Sequence, residues 1–232
     1  PILPTVQDGR NVLLIDCGAN VDCKPERMEQ FALLATALMQ SCGVEEPRVG
    51  LLSVGVEESK GSHFIREVYD LLERLPIRFT GMMEARDALS GEYDVIVAEG
   101  FSGNVLLKTI EGTAKFMSGM MKDMFKRNFL TKLAALACRS GIQDFKKKMD
   151  YRETGGTLLL GLRKPVVKAH GGAPLLGVNA AMVKAHGSSD ELAFYHAVRQ
   201  AVNAVEANIT QDIQDNIEKM AVPKELEHAD ET

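Results

Sequence analysis

A chain of 232 residues, 45% hydrophobic and 25% charged, has the apolar content for one sizeable core and none of the bias of a disordered or fibrous protein. No apolar run approaches the roughly 20 residues of a membrane-spanning helix, no signal peptide is expected, and a net charge of −5 disfavours nucleic acid as a partner. The four cysteines (Cys17, Cys23, Cys42, Cys138) are scattered without a C-x-x-C pair, which predicts reduced thiols in a cytoplasmic protein and neither disulfides nor a metal site; Pro1 in place of Met suggests a fragment or processed chain.

The first predicted element is a strand over residues 11–16, with Asp16-Cys-Gly-Ala-Asn20 as the turn after it. Pro25 then opens a helix to about Ser41, with Gly43 just past its end. Arg48–Val54 reads as a second strand, Gly55–Gly61 as a loop, and Ser62 as the start of a helix through Leu75. A short strand at Ile77–Thr80 is followed by Gly81 and a helical Glu84–Leu89. Val95–Ala98 is the next strand, broken by Gly100 and Gly103, and Val105–Phe125 follows with helical spacing of its apolar residues. Ser102 or Asn104 would cap that helix.

Strands alternating with helices predict a mostly parallel sheet with helices on both faces, which binds ligands beyond the carboxyl ends of its strands. Three loops then share one edge: Asp16–Asp22, Gly55–Gly61 and Glu99–Asn104. Together they hold Asp16, Gly18, Asn20, Lys60, Gly100, Ser102, Gly103 and Asn104. A small polar pocket with one lysine and a helix start suits an anion, and small glycines would let a phosphate approach the backbone. Taken singly, Asn20 and Asp22 are ordinary turn residues and Lys60 an ordinary solvated lysine.

Phe116, Met117, Met120, Met121 and Met124 form a stripe on the predicted helix, a pattern of core or of a subunit interface. Asn128–Thr131 breaks the helix, and a second helix is expected over about Leu133–Met149, so that residues 105–150 form a helical hairpin. Lys115 to Lys168 carries a local charge of +9, and Asp190 to Thr232 a local charge of −7. The basic region should attract acidic partners or anionic lipid. An apolar tip around Leu133 and Leu136 with cations behind it fits peripheral membrane attachment; packing of the same tip in a dimer fits equally.

Residues 155–187 hold two copies of one segment at an offset of 16, Gly155 to Gly171 and Gly171 to Gly187, each read as two short strands with a turn. Two copies are too few for a solenoid and indicate a local duplication. Ser188-Ser-Asp-Glu191 looks like a capping box opening a final helix to about Met220, before a charged tail.

Several blocks, in one order over nearly the whole chain, closely resemble the bacterial phosphate acyltransferase (PlsX) family. They are Asp16-Cys-Gly-Ala-Asn-Val-Asp-Cys-Lys-Pro25, Pro47-Arg-Val-Gly-Leu-Leu-Ser-Val-Gly55, Glu58-Ser-Lys-Gly61, Glu84-Ala-Arg-Asp87, Gly100-Phe-Ser-Gly-Asn-Val105 with Lys108-Thr-Ile-Glu-Gly112, and Lys184-Ala-His-Gly-Ser-Ser189. The resemblance implies a homodimeric layered α/β fold similar to the isocitrate and isopropylmalate dehydrogenases. It implies transfer of an acyl group from acyl-acyl-carrier-protein to inorganic phosphate, at the periphery of the cytoplasmic membrane, with no cofactor. The acyl phosphate would feed phospholipid synthesis. Lys60 and Asn104 fall on family positions with catalytic roles, while Asp16, Gly18, Asn20, Gly100, Ser102, Gly103 and His186 fall on the implied substrate site, where a structural role for His186 is the simpler reading.

Three departures accompany the resemblance. The family's N-terminal motifs are absent, so the chain reads as a single, N-terminally incomplete α/β domain. Family members carry one copy of the segment duplicated here, and usually Asp where Glu99 stands. Two alternatives remain. A nucleotide-dependent dehydrogenase shares the implied fold, but no G-x-G-x-x-G follows a strand. A non-catalytic binding or dimerisation module is the other.

Overall fold

Three runs set the architecture: Val12–Leu14, Val49–Leu51 and Val95–Val97 are buried almost without remainder. A strand can lose both faces to solvent only if helices cover both, and that arrangement is what the computed structural model shows. It describes residues 1–57, 60–149, 156–159, 166–169, 182–184, 191–206 and positions 208, 211, 212, 215 and 216.

The main sheet has five strands: β1 (Ile2–Pro4), β2 (Asn11–Ile15), β3 (Arg48–Ser53), β4 (Arg78–Glu84) and β5 (Val95–Val97), in spatial order β1-β2-β5-β3-β4. All are parallel except β1, which pairs antiparallel with β2 at the edge. The sheet is therefore mixed but mostly parallel, and β1 is a strand that the sequence reading did not foresee. Val95 and Val97 face one side with Leu13, Val49 and Leu51; Ile96 and Ala98 face the other with Val12, Leu14 and Met83. The two-residue alternation of a strand thus splits one apolar run between two cores. Each large apolar side chain so buried contributes about 1.5–3 kcal/mol.

Helices α1 (Pro25–Ser41) and α2 (His63–Glu73) cover the first side, with Met28, Phe31, Leu38, Val68 and Leu72 in its core. Pro25 begins α1 and Gly43 follows its end in the left-handed region, as expected. The Ser62 hydroxyl caps α2 by accepting from the Ile65 amide at 3.3 Å. Helix α3 (Gly100–Lys126) covers the second side through Leu106. Arg48 and Asp94 tie β3 to β5 at the opposite strand ends. The guanidinium donates to both carboxylate oxygens at 2.8 and 2.9 Å, and the Arg48 amide donates at 2.9 Å.

Several expected boundaries move. β4 runs on through Gly81 to Glu84, because a bulge against β3 absorbs one extra residue there and Gly81 (φ 92°) takes a conformation other residues resist. Only a short 3₁₀ turn, Ala85–Asp87, stands where a helix to Leu89 was expected. The predicted second helix is two, α4 (Phe129–Ala137) and α5 (Arg139–Met149). Asn128 opens α4 with a reciprocal capping box to Thr131.

A second sheet holds β6 (Gly156–Leu159), β7 (Val166–Ala169) and β8 (Met182–Lys184); β6 and β7 are antiparallel, β7 and β8 parallel. Val166 pairs with Met182 and Lys168 with Lys184, so equivalent positions of the two repeat copies lie side by side. The first copy supplies two strands as expected, and the second supplies β8 among the described residues. The final helix α6 is described over Glu191–Glu206. The proposed Ser188–Asp190 cap and the continuation to Met220 fall wholly or partly outside the described residues.

Candidate functional site at the carboxyl edge of the sheet

β2, β5 and β3 are adjacent and parallel, so the loops after them leave from one edge. The loops from β2 and β3 lead to helices on one face, and that from β5 leads to α3 on the other. Neighbouring strands whose loops diverge in this way open the crevice in which parallel sheets hold ligands.

Asp16 organises the β2 loop. It is buried, and its carboxylate accepts from the amides of Cys17, Ala19 at 3.2 Å and Asn20 at 2.6 Å, and from the Asn20 side-chain amide at 3.1 Å. An acid two residues before a glycine, with Asn at the fourth position, is the sequence signal for such a self-bonded turn. The carboxylate is therefore committed to its own loop. Asn20 is committed too: its carbonyl accepts from the Gly100 amide at 3.1 Å and from the Cys23 thiol at 3.2 Å.

Helix α3 begins at Gly100, with Glu99 at its N-cap position, not at Val105. The expectation that Ser102 or Asn104 caps it is corrected. Ser102 lies inside the first turn and donates its hydroxyl to Glu99 Oε1 at 2.7 Å, so its proton faces away from a ligand. The two glycines also have a different task from the one expected. A Cβ on Gly100 would collide with the Asn20 carbonyl, and one on Gly103 with the Asp16 carbonyl. Their missing side chains seat α3 on the Asp16–Asn20 loop; that space holds backbone, not ligand. Glu99 makes no side-chain cap bond; the Gly100 amide is satisfied by the Asn20 carbonyl instead, which leaves the amides of Phe101 and Ser102 in the first turn.

Asn104 is exposed and lies against Gly18, its Cγ 3.5 Å from where a Gly18 Cβ would stand. Gly18 holds φ 110°, a value favouring glycine. Lys60 is exposed in the β3 loop; its amide donates to the Glu57 carbonyl at 2.8 Å, and its stem packs over Gly55. Among the described residues, neither the Asn104 amide group nor the Lys60 ammonium has a hydrogen-bond or ion-pair partner. The polar side chains of this edge thus include a committed set, Asp16, Asn20 and Ser102, and, without a partner among the described residues, exposed Lys60 and Asn104 and the buried hydroxyl of Ser53 at the end of β3.

Burial pushes the Cys23 thiol up, with nearby Asp16 and Glu99 adding to the shift, so a thiolate there is disfavoured at neutral pH. That agrees with a packing role. Among the described residues, no group of three or more His, Cys, Asp or Glu could hold a metal ion, and no helix is long and apolar enough to cross a membrane. His186 lies outside the described residues. Leu133 and Leu136 are exposed on α4, beside exposed Phe129 and Leu130. The methionine stripe divides: Phe116, Met117, Met120 and Met124 are exposed, while Met121 turns toward α4 and α5.

A family model described as "Fatty acid synthesis protein" matches residues 1–174. The phosphate acyltransferase of Anoxybacillus flavithermus is 43% identical over 218 residues, 94% of this chain and 61% of the relative. That of Bacillus licheniformis is 43% identical over 222 residues, covering 95% and 62%. The Geobacillus sp. (strain WCH70) enzyme is 44% identical over 220 residues, covering 94% and 62%. The chain therefore spans about three fifths of the length of these relatives.

Proposed function

Because this chain belongs to the phosphate acyltransferase family of fatty acid synthesis proteins, we propose that it carries the phosphate-side machinery of an acyltransferase. The reaction would move an acyl group from acyl-acyl-carrier-protein to inorganic phosphate, giving acyl phosphate for phospholipid synthesis. A phosphate oxygen attacks the thioester carbonyl, the C–O bond forms, the tetrahedral oxyanion collapses, and the C–S bond breaks to release the carrier thiol.

No protein nucleophile is required. The needs are a held phosphate, cancelled charge and a donor for the oxyanion. Lys60 supplies the positive charge, Asn104 the side-chain N–H, and the Phe101 and Ser102 amides of the first turn of α3 further donors. Asp16, Asn20, Gly100 and Gly103 act through these groups: they fix the β2 loop and set α3, and with it Asn104, in place. Gly18 leaves room for Asn104. One observation carries the proposal: on an edge where Asp16, Asn20 and Ser102 are committed to internal hydrogen bonds, Lys60 and Asn104 are exposed and have no partner among the described residues.

We further propose the family's layered dehydrogenase-like fold, a homodimer, and a cytoplasmic protein in peripheral contact with anionic membrane through Leu133 and Leu136. The basic region of α3 to α5 suits the acidic carrier protein as well as lipid. The testing experiment incubates the protein with acyl-acyl-carrier-protein and phosphate and follows free thiol. Thiol release that requires phosphate supports the proposal; release indifferent to phosphate contradicts it.

A further inference from the structure

Ser53 ends a column of β3 side chains. Val49 and Leu51 point into the core beneath α1 and α2, and the two-residue alternation of a strand sends Ser53 the same way, to the last place before the sheet edge. There its Oγ is buried and has no hydrogen-bond partner. Among the described residues the other such atom is Thr36 Oγ1, inside α1, where rotation of a threonine side chain can reach a carbonyl of the preceding turn. A strand end offers Ser53 no such local acceptor. A buried hydroxyl without a partner destabilises the fold that holds it, and alanine would relieve that cost. Serine at such a place calls for a partner that another state of the protein supplies.

The surroundings name the partner. Ser53 Oγ lies 3.1 Å from where a Gly61 Cβ would stand, and Ile65 of α2 borders the same space. Gly61 holds φ 86°, so the chain turns there with no side chain between it and Ser53. Gly61 follows Lys60 directly, and the Lys60 stem packs over Gly55. Among the described residues the Gly61 amide has no acceptor. An unpaired acceptor and an unpaired donor thus stand side by side at the peptide that carries Lys60, without being bonded to each other.

We propose that Ser53 is a positioning residue for Lys60: in the phosphate complex its hydroxyl accepts from the Gly61 amide and so holds the Lys60–Gly61 peptide, and with it the ammonium, over the anion. Ser53 itself touches no substrate. A hydrogen bond made in the complex and not in the free protein adds to phosphate affinity and nothing to the stability of the free protein. The inference rests on the reading of Lys60 as the cation that holds phosphate.

The test compares the unsubstituted protein, Ser53→Ala, Lys60→Ala and the double variant. The readouts are calorimetric titration with inorganic phosphate, urea unfolding without phosphate, and phosphate-dependent thiol release. Ser53→Ala should leave the unfolding midpoint of the free protein unchanged or raised. It should weaken phosphate binding about three- to tenfold and raise the KM for phosphate by the same factor, with kcat changed less than about twofold. A serine with a merely structural role would not move affinity and stability in opposite directions. In the Lys60→Ala background the same change should alter kcat/KM for phosphate less than about twofold, because its route of action is gone. A destabilised Ser53→Ala overturns the proposal, since the hydroxyl would then be bonded in the free protein. An undiminished effect in the Lys60→Ala background overturns it too. Phosphate affinity lowered by Lys60→Ala and unchanged by Ser53→Ala removes this inference alone. No binding of phosphate, or binding that Lys60→Ala leaves unchanged, removes the reading of Lys60 and this inference together.

Discussion

Gly103 rests directly on the backbone carbonyl of Asp16, with no room for even one methyl group between them. This contact joins the loop after β2 to the first turn of α3. Gly103→Ala should therefore lift α3 off the loop and destabilise the protein by roughly 2–3 kcal/mol, the upper range for overpacking. A methyl added at Gly112 or Gly119 on the same helix would meet open space, so alanine there should stabilise by about 0.5–1 kcal/mol. Urea unfolding of the three variants checks both signs.

The loop itself depends on Asp16. Asp16→Asn keeps the shape but turns one acceptor oxygen into a donor facing amide N–H groups. A loss of about 1–3 kcal/mol is expected, as for a buried group left without a partner. Asn20→Ala removes one side-chain donor from Asp16 and should cost less, about 0.5–1.5 kcal/mol. Thermal melting of both variants tests the order, and a milder Asp16→Asn would mean the loop is held by something else.

At the far end of the strands, Arg48 and Asp94 make a pH-dependent clamp. Burial alone would push the Asp94 carboxyl up; hydrogen bonds from the Arg48 side chain and amide outweigh it and hold the carboxyl below its ordinary range. A group with a depressed folded pKa contributes its full stability above the unfolded value of about 3.9 and loses it as pH falls through the folded value. Asp94→Asn should thus destabilise clearly at pH 7, and the gap to the unsubstituted protein should shrink below pH ~4. Unfolding curves at pH 7, 5 and 3 give the comparison.

The exposed leucines of α4 invite a direct test of surface attachment. Leu133→Glu with Leu136→Glu should cut pelleting with anionic vesicles several-fold, because carboxylates enter an acyl boundary poorly and are repelled by the lipid charge. Secondary structure should be unchanged, both side chains being exposed. Pelleting equal to that of the unsubstituted protein contradicts the assignment.

Much of this arrangement is readable from residues alone. The short apolar runs at 12–14, 49–51 and 95–97, the proline at 25 and the serine at 62 each act locally, and local signals mark elements well. What escaped reading depends on partners distant in the chain. β1 is three residues long and owes its existence to pairing with β2. Gly81 resembles a strand end in sequence because its bulge exists only against β3. Gly100 and Gly103 resemble a phosphate cradle because glycine before a helix fits that pattern; the Asp16 loop that fills the space is roughly 80 residues earlier. The commitment of Ser102 to Glu99 is local, three residues apart, and is legible as the pairing of a hydroxyl with an N-cap acid. Lys60 and Asn104 emerge from family likeness and edge topology together, since neither stands out by spacing.

The most direct measurement is phosphate-dependent thiol release from acyl-acyl-carrier-protein by the unsubstituted protein, by Lys60→Ala and by Asn104→Ala. Both substitutions fall on exposed side chains, so folding should be untouched. If the two groups act on the phosphate and the oxyanion, each change lowers turnover by about 10²-fold or more. Near-normal rates in both variants would contradict the account.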